Sequence, residues 1–347
     1  MNRGTISLLT TVAVLTFTLT ACDEKKTTPK DELNQGTYVP PVERKLKPLP
    51  RFKCEIKGNL AKWRFDPTLS PLPDGKVLVA GGRQRDGGGW LQDTELYDPA
   101  TGESAPGPKM KMPRAMHSAM MLADGRTLVY SGMVKELEVY DPKKNVWVSG
   151  GKVKKDILGA VAVQLPDGKV LIGGGDPMGS AAFSTVTYLW DPATRRINKG
   201  PALKEGRQGD AFLTKEGKVV LLSRPYGETR RALESWDLET GDLKPFTVPK
   251  DDVKWKSLKE LGSMRGGEHV ALAPGSHGKM ASPPTALRGK SVLRFFPSRS
   301  SWRTLGKLKY DHKDGAIIAL SPDKILVVGG REKEASAVEI CTPEVAK

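Results

Sequence analysis

Short apolar segments that end in glycine recur along the chain from residue 52 onward, each preceded by a polar turn. The copies are LPDGKVLVAGG (72–82), LADGRTLVYSG (122–132), LPDGKVLIGGG (165–175), TKEGKVVLLSR (214–224) and SPDKILVVGG (321–330). The apolar residues form continuous short runs bounded by turn residues, which is typical of buried strands rather than amphipathic helices. Glycine accepts the positive φ that tight turns require. The pattern predicts pairs of short strands joined by tight turns.

A second segment alternates with the first, and it is a strand that ends in an aromatic residue followed by Asp-Pro. Clear copies are TELYDPATG (94–102), KELEVYDPKK (135–144) and TYLWDPATR (187–195), and weaker ones are LESWDLETG (233–241), VLRFFPSRS (292–300) and SAVEICTPE (336–344). Successive copies are 43 to 59 residues apart. Together the two segments predict a repeat of four short strands.

This repeat, with its glycine pair, aromatic residue and later tryptophan, resembles the kelch repeat, in which each copy forms one four-stranded blade of a β-propeller. The resemblance covers residues 52–347 and implies six blades. The fifth is the weakest, because it lacks the glycine pair and contains GSHGKMASPPTALRGK (275–290). We therefore expect an all-β, six-bladed kelch-type propeller.

The chain itself indicates how such a ring closes. Trp147 and Trp302 begin the outer strands of blades 2 and 5, but the matching position after the last copy is the final residue, Lys347. The sixth blade thus lacks an outer strand, and FKCEIK (52–57) supplies a spare one. This register places Cys54 opposite Cys341, where a disulfide would close the ring in an oxidising compartment. The alternative is two buried free thiols.

The N-terminal segment has the features of an export signal. Arg3 precedes an apolar run too short for a confident transmembrane helix, and Leu19-Thr20-Ala21-Cys22 resembles the bacterial lipobox. The resemblance implies a signal peptide at 1–21 and a lipid on Cys22 that anchors the protein to the inner or outer membrane of the cell envelope. The alternative is an ordinary secretory signal. Residues 22–51 are rich in charge and proline and predict a flexible, disordered tether.

Composition adds little to the choice of partner. The net charge of +15 is compatible with an anionic partner. Positive charge also serves solubility, and we expect no nucleic acid partner. The four histidines, His117, His269, His277 and His312, have no metal-site spacing, so neither a metal nor a cofactor is predicted. Galactose oxidase also carries kelch repeats, but it needs a cysteine crosslinked to its copper-binding tyrosine. The predicted lipid site and disulfide already account for all three cysteines of this chain.

Arginines in the predicted loops at one face of the propeller are the candidate binding residues. They are Arg64, Arg83, Arg114, Arg207, Arg224, Arg265 and Arg331, with Arg85 beside them. Guanidinium groups grip carboxylate, sulfate or phosphate through paired hydrogen bonds. The alternative is that these arginines pair with nearby aspartates, such as Asp86, Asp176, Asp210 or Asp314.

Three functions remain open at this point. The leading hypothesis is a noncatalytic binding or scaffold protein that recognises a protein or an anionic glycan. The second is an enzyme acting on an anionic sugar, because a periplasmic sialic acid mutarotase family has six kelch blades; Glu95, Asp176, Glu228 and Glu268 are then candidate acids or bases. The third is a purely structural envelope protein.

One segment departs from the strand pattern. The insertion at 251–267 predicts a short helix.

Overall fold

A computed structural model describes residues 50–84, 88–155, 158–177, 180–228, 230–250, 285–296, 301–332, 334 and 336–344. All regular secondary structure in these ranges is β. The predicted signal peptide, nearly all of the tether, and the insertion at 251–267 lie outside the described residues. The all-β prediction is confirmed.

Sixteen of the strands form four sheets of four antiparallel strands, each built from consecutive strands. Sheet 1 contains β2 (Thr68–Pro71), β3 (Val77–Ala80), β4 (Thr94–Tyr97) and β5 (Ser104–Pro106). Sheet 2 contains β6 (His117–Met121), β7 (Thr127–Ser131), β8 (Glu136–Asp141) and β9 (Val146–Lys152). Sheet 3 contains β10 (Val161–Gln164), β11 (Val170–Gly173), β12 (Thr187–Trp190) and β13 (Ile197–Lys199). Sheet 4 contains β14 (Gln208–Leu213), β15 (Val219–Arg224), β16 (Ala232–Trp236) and β17 (Leu243–Pro245).

The sequence of each sheet explains its strands. The second strand is the apolar run and is buried along its length in β3, β7 and β11. The preceding Asp-Gly turn is closed by the aspartate, as where the Asp74 carboxylate accepts a hydrogen bond from the Lys76 N–H at 3.1 Å. Gly75 in that turn has φ 87°, a left-handed conformation that favours glycine. The repeat predicted from the sequence is therefore present in all four sheets.

The remaining strands form one sheet of seven, in the order β18-β19-β20-β1-β23-β22-β21. Its strands are β1 (Phe52–Asn59), β18 (Thr285–Arg288), β19 (Ser291–Phe296), β20 (Ser301–Lys307), β21 (Ala316–Ser321), β22 (Lys324–Val328) and β23 (Ala337–Pro343). The N-terminal strand β1 pairs antiparallel with β23 along most of its length. It pairs with β20 only through two parallel residue pairs at its start. We call β21, β22, β23 and β1 the closing half-sheet.

The closing half-sheet contains the predicted disulfide. Cys54 of β1 lies directly opposite Cys341 of β23, and the two are bonded across 287 residues of sequence. Cys341 is fully buried in a cluster with Phe52, Leu305 and Val327. The predicted pairing of the N-terminal strand with the last strand, and the disulfide between Cys54 and Cys341, are confirmed.

Neighbouring sheets contact one another through their first strands. β2 contacts β6, β10 contacts β14, and β21 of the closing half-sheet contacts β2 of sheet 1. Apolar side chains from adjacent sheets form shared clusters, so that Val77 and Tyr97 of sheet 1 pack with Leu326 and Ile340 of the closing half-sheet. The last sheet is thus packed against the first, an arrangement consistent with a β-propeller.

The disulfide should contribute measurably to stability. We expect the double variant Cys54→Ala/Cys341→Ala to lose about 2–5 kcal/mol of unfolding free energy, because the cross-link restricts the unfolded chain over a very long loop. Far-UV circular dichroism should remain that of a β protein, and urea denaturation measures the change.

Reduction of the unaltered protein breaks the disulfide bond but keeps both sulfur atoms. It therefore distinguishes the contribution of the cross-link to stability from that of sulfur packing. If the reduced protein and the double variant both unfold at the urea concentration of the oxidised protein, the bond does not stabilise the ring.

Candidate functional site

All the candidate arginines in the described residues lie at one end of their sheets. The first strand of each sheet begins where its second strand ends, as shown by the pairs Thr68 with Ala80 and Gln208 with Arg224. We call this the glycine end, because Gly81–Gly82, Gly174–Gly175 and Gly329–Gly330 follow the second strand there. The arginines just before a first strand and just after a second strand therefore share one end of the fold.

Arg64 and Arg114, which precede β2 and β6, are fully buried in ion pairs with glutamates of their own sheets. Arg64 Nη2 lies 2.5 Å from Glu95 Oε1, and Arg114 Nη2 lies 3.1 Å from Glu138 Oε1. Both side chains of each pair are at most 3% exposed. Arg64 also donates to the carbonyl oxygen of Gly81. Burial lowers the pKa of both arginines, although the glutamates oppose this.

Sheet 4 and the closing half-sheet contain the same kind of pair, between a basic side chain that precedes the first strand and a glutamate of the third strand. Arg207 Nε donates to Glu234 Oε2 at 3.0 Å in sheet 4. In the closing half-sheet a histidine replaces the arginine, and His312 Nε2 lies 3.1 Å from Glu339 Oε1 while its Nδ1 lies 2.6 Å from the carbonyl oxygen of Gly329. His312 thus connects the third-strand glutamate to the glycine end of the second strand, as Arg64 does in sheet 1.

Three of these glutamates also bind the backbone of the segment that enters their sheet. The N–H groups of Ala61, Lys111 and Lys309 donate to Glu95, Glu138 and Glu339 at 2.6, 2.6 and 2.8 Å. Burial raises the pKa of Glu339, but hydrogen bonds from His312 and two backbone N–H groups outweigh it and leave the pKa below its ordinary value. The glutamates therefore act as anchors for the inter-sheet segments.

The backbone of the buried arginine joins the preceding sheet. The N–H of Gly82 donates to the carbonyl oxygen of Arg114, that of Gly175 to Arg207, and that of Gly330 to Arg64. The first glycine of each pair has positive φ and no room for a Cβ, which at Gly174 would lie 2.4 Å from the Arg207 carbonyl oxygen. The glycine pair of one sheet and the buried arginine of the next sheet therefore form one contact between the two sheets. We call this contact the joint.

These contacts disagree with part of the predicted binding face. Arg64 and Arg114 were expected to present guanidinium groups to a ligand, but both are enclosed and hold their own sheet's glutamate. Arg207 is also almost fully buried, with Glu205 and Glu234 as partners. The physical reason is that a buried charge needs a paired opposite charge, and the third strand provides it. Arg265 and Arg85 lie outside the described residues.

Arg224 has a different environment. Its Nη2 donates to the side-chain oxygen of Gln208 at 2.6 Å, and its Nη1 donates to the carbonyl oxygen of Glu228 at 2.7 Å. The guanidinium group lies 5.2 Å from the ring centre of Phe183, which contacts Tyr226 edge to face at 5.3 Å. No carboxylate of the described residues forms an ion pair with Arg224. We call these residues the sheet 3–4 cluster.

A second arginine cluster lies where the closing half-sheet meets sheet 1. Arg83 and Arg331 each place a guanidinium group 5.2 Å from the ring centre of Phe65. Trp63 contacts Phe65 at 5.4 Å between ring centres and donates its indole N–H to the carbonyl oxygen of Glu332 at 2.6 Å. We call these residues, with Asp66 and Asp314, the seam cluster.

Unlike Arg224, both arginines of the seam cluster are paired with carboxylates. Arg83 Nη2 lies 2.9 Å from Asp66 Oδ2, and Arg331 Nε is bonded to Asp314 Oδ2. The two aspartates occupy matching left-handed positions, φ 54° and 58°, and the Asp66 N–H donates to the Asp314 carbonyl oxygen at 2.7 Å. Burial raises the pKa of Asp66, Arg83 lowers it, and Asp314 raises it, with a net increase.

The predicted acids that the structure describes have different neighbours. Glu95 is the buried partner of Arg64, and Glu228 approaches Arg224 only through its carbonyl oxygen. The backbone of Asp176 pairs with Leu158, and Glu268 lies outside the described residues. Sequence reasoning missed Phe65, Trp63, Phe183 and Tyr226. Trp63 and Phe65 flank Arg64 in AKWRF, and this pattern could have indicated an aromatic surface beside the arginine. Phe183 lies in a loop outside the repeated segments, so no pattern marks it.

The described ranges contain no cluster of three or more metal-ligating side chains and no helix of the length and hydropathy that cross a bilayer. The chain matches no protein-family model, and no curated protein matches it.

The buried ion pairs should be essential to stability. We expect Arg114→Met to lower the unfolding free energy by about 3–5 kcal/mol, because Glu138 would remain buried without its cation. Urea denaturation measures the loss. Replacing Glu138 by Leu in the same chain should recover part of it, since no unpaired charge remains.

A surface pair provides the control. Lys152 pairs with Glu136 at 2.8 Å with its side chain 64% exposed, so Lys152→Met should leave the denaturation midpoint nearly unchanged. Equal losses in Arg114→Met and Lys152→Met would contradict the structural role of the buried pair.

Proposed function

We propose that this protein is a lipid-anchored cell-envelope protein that binds a protein or an anionic glycan through the glycine end of a six-bladed, kelch-type propeller. The observation that carries the proposal is Arg224, whose guanidinium group is held in place by neutral partners and has no ion-pair partner among the described residues.

Six blades follow from dividing the sheet of seven strands at β1. β21, β22, β23 and β1 repeat the order of sheets 1–4, with Glu339 at the position of Glu95 and Gly329–Gly330 at that of Gly81–Gly82. β18, β19 and β20 are then the described strands of a fifth blade. The repeated joint from Gly330 to Arg64 supports closure of the sixth blade on the first.

An envelope location is supported by two independent features. The Cys54–Cys341 disulfide fits an oxidising compartment outside the cytoplasm. The lipobox-like sequence that ends in Cys22 fits export followed by lipid attachment. Cys22 is the one cysteine that the disulfide does not use, so it remains available for a lipid.

Arg224 is suited to holding an anion. Its side chain is oriented by Gln208 and Phe183, so little conformational freedom is lost when a ligand binds. Tyr226, 52% exposed, adds an aromatic surface beside it. Guanidinium and tyrosine side chains dominate the binding energy of many protein surfaces. A carboxylate or sulfate of the partner would supply the opposite charge that Arg224 lacks among the described residues.

An enzyme acting on an anionic sugar is the second candidate. It is favoured by the seam cluster, where Asp66 and Asp314 stand together and the raised pKa of Asp66 makes it a candidate proton donor. Arg83 and Arg331 would orient the anionic group of the substrate. Binding without turnover distinguishes the leading proposal from this one.

The lipid anchor predicts the outcome of a single substitution. Cys22→Ser should abolish metabolic labelling with a fatty acid and prevent normal processing, because serine offers no thiol to acylate. Membrane fractionation and mass spectrometry of the N-terminus measure both effects. Unchanged processing and labelling of the Cys22→Ser protein would refute the anchor, and Cys54→Ala serves as a matched cysteine control.

The binding face predicts a salt-sensitive interaction that depends on Arg224. Envelope extract passed over immobilised protein should yield a ligand that is retained about tenfold less by Arg224→Ala, the loss expected for one charge-assisted contact. Retention should fall as salt rises, because exposed charges are screened.

Arg196, an arginine at the opposite end of sheet 3, provides the matched control, and Arg196→Ala should retain the ligand normally. Equal retention by the Arg224→Ala and unaltered proteins would refute the assignment of this face.

A further inference from the structure

We infer that the seam cluster is a charge-neutral subsite for an uncharged sugar ring, so that the partner of this protein is an anionic oligosaccharide rather than an acidic peptide. This inference rests on the proposed function, in which Arg224 binds the anionic group.

The two aromatic–arginine clusters have the same construction but opposite electrostatics. In each, a guanidinium group lies 5.2 Å from the ring centre of a phenylalanine that contacts a second aromatic ring edge to face. The sheet 3–4 cluster leaves the charge of Arg224 unpaired among the described residues, whereas the seam cluster pairs Arg83 with Asp66 and Arg331 with Asp314. One cluster therefore attracts an anion, and the other does not.

The seam cluster nevertheless offers polar groups at an accessible surface. The side chain of Arg331 is 53% exposed, and those of Arg83 and Asp66 are 29% and 18% exposed. Arginine N–H groups donate hydrogen bonds and carboxylate oxygens accept them, so the pairs match hydroxyl groups, which do both. Trp63 and Phe65 supply an aromatic surface beside them, against which the C–H face of a sugar ring can pack.

The two aspartates occupy the same position of adjoining sheets. Asp66 and Asp314 lie at a left-handed backbone position of the repeat, which is Met116 in sheet 2 and Gly159 in sheet 3. Aspartate is one of the residues that adopt this conformation more readily than most. Placing an aspartate there on two adjoining sheets brings two carboxylates to the same junction.

The spacing of the clusters favours a ligand of more than one ring. The sheet 3–4 cluster and the seam cluster lie on opposite sides of a six-bladed ring, with three blades between them in either direction. Both lie at the glycine end. A chain that crosses the mouth of the ring would meet Arg224, which has no ion-pair partner among the described residues, on one side and neutral hydrogen-bonding groups on the other. An acidic peptide would gain nothing from the second cluster, because Asp66 and Asp314 already balance the charges of Arg83 and Arg331.

Binding of defined probes by the full mature protein tests this inference. The probes are a tetrasaccharide of alternating glucuronate and N-acetylglucosamine, free glucuronate, and tetraglutamate, each measured by calorimetry at several salt concentrations. We expect the tetrasaccharide to bind about tenfold more tightly than glucuronate or tetraglutamate, as two subsites together require. Arg224→Ala should weaken all three.

Asp66→Asn is the decisive variant. Asparagine tolerates the left-handed backbone, so the fold is kept while the carboxylate becomes a weaker acceptor. Tetrasaccharide affinity should fall about fivefold, the size of one hydrogen bond to a charged group. Asp74→Asn, the same change in a turn at the other end of sheet 1, should have no effect on this affinity.

The alternatives give different results. Unchanged or tighter tetrasaccharide binding by Asp66→Asn would show that the Asp66 carboxylate accepts no hydrogen bond from the ligand, and either result overturns the inference. Tetraglutamate binding without tetrasaccharide binding, or no binding of the tetrasaccharide, also overturns it and leaves the proposed anion site to be judged by the extract experiment. If Arg224→Ala has no effect but Asp66→Asn does, the proposed function fails and the sugar subsite stands.

Discussion

The joint between neighbouring sheets is the contact on which the rest of this structure depends. A buried arginine, or His312 in the closing half-sheet, binds a glutamate of its own sheet, and the arginine's carbonyl oxygen accepts a hydrogen bond from a glycine of the sheet before. An isolated buried guanidinium group would be strongly unfavourable, so arginine and glutamate must occur together. The glycine must lack a Cβ because the carbonyl oxygen occupies that space. Three residues far apart in sequence are thus mutually required.

This joint explains which parts of the fold could be predicted from the sequence. The strands, the turns and the pairing of Cys54 with Cys341 follow from local patterns and from register counting, and the structure agrees with them. The role of Arg64 and Arg114 could not be predicted in the same way. The glutamates that pair with them stand inside apolar strands, and aspartates in nearby loops looked like nearer partners. The sequence pattern does not show whether a single arginine is buried. Burial determines that Arg64 and Arg114 pair with these glutamates and not with loop aspartates.

The clusters at the glycine end were harder still to anticipate. Arg83 and Arg331 belong to different ends of the chain, and Phe65 brings them together only because the closing half-sheet packs on sheet 1. Arg224 was predicted as a ligand-binding residue, yet its distinguishing feature is an absence of carboxylate partners among the described residues, and that requires coordinates. The repeat therefore located the face, while side-chain pairing separated structural arginines from candidate binding residues.

The structural joint also prepares the neighbouring residues for binding. Asp66 follows Arg64 by two residues, and Asp314 follows His312 by two, so each aspartate is attached to a buried, hydrogen-bonded anchor. An anchored backbone can hold a left-handed aspartate that a mobile loop would relax. The side chains of Arg83 and Arg331 are in turn fixed by these aspartates and by Phe65. Because a ligand then meets groups that are already ordered, little entropy is lost on binding. The buried ion pairs enclose Arg64 and Arg114, so these two arginines do not contact a ligand. The same pairs hold the surface beside them in a fixed geometry, and this makes that surface suitable for recognition.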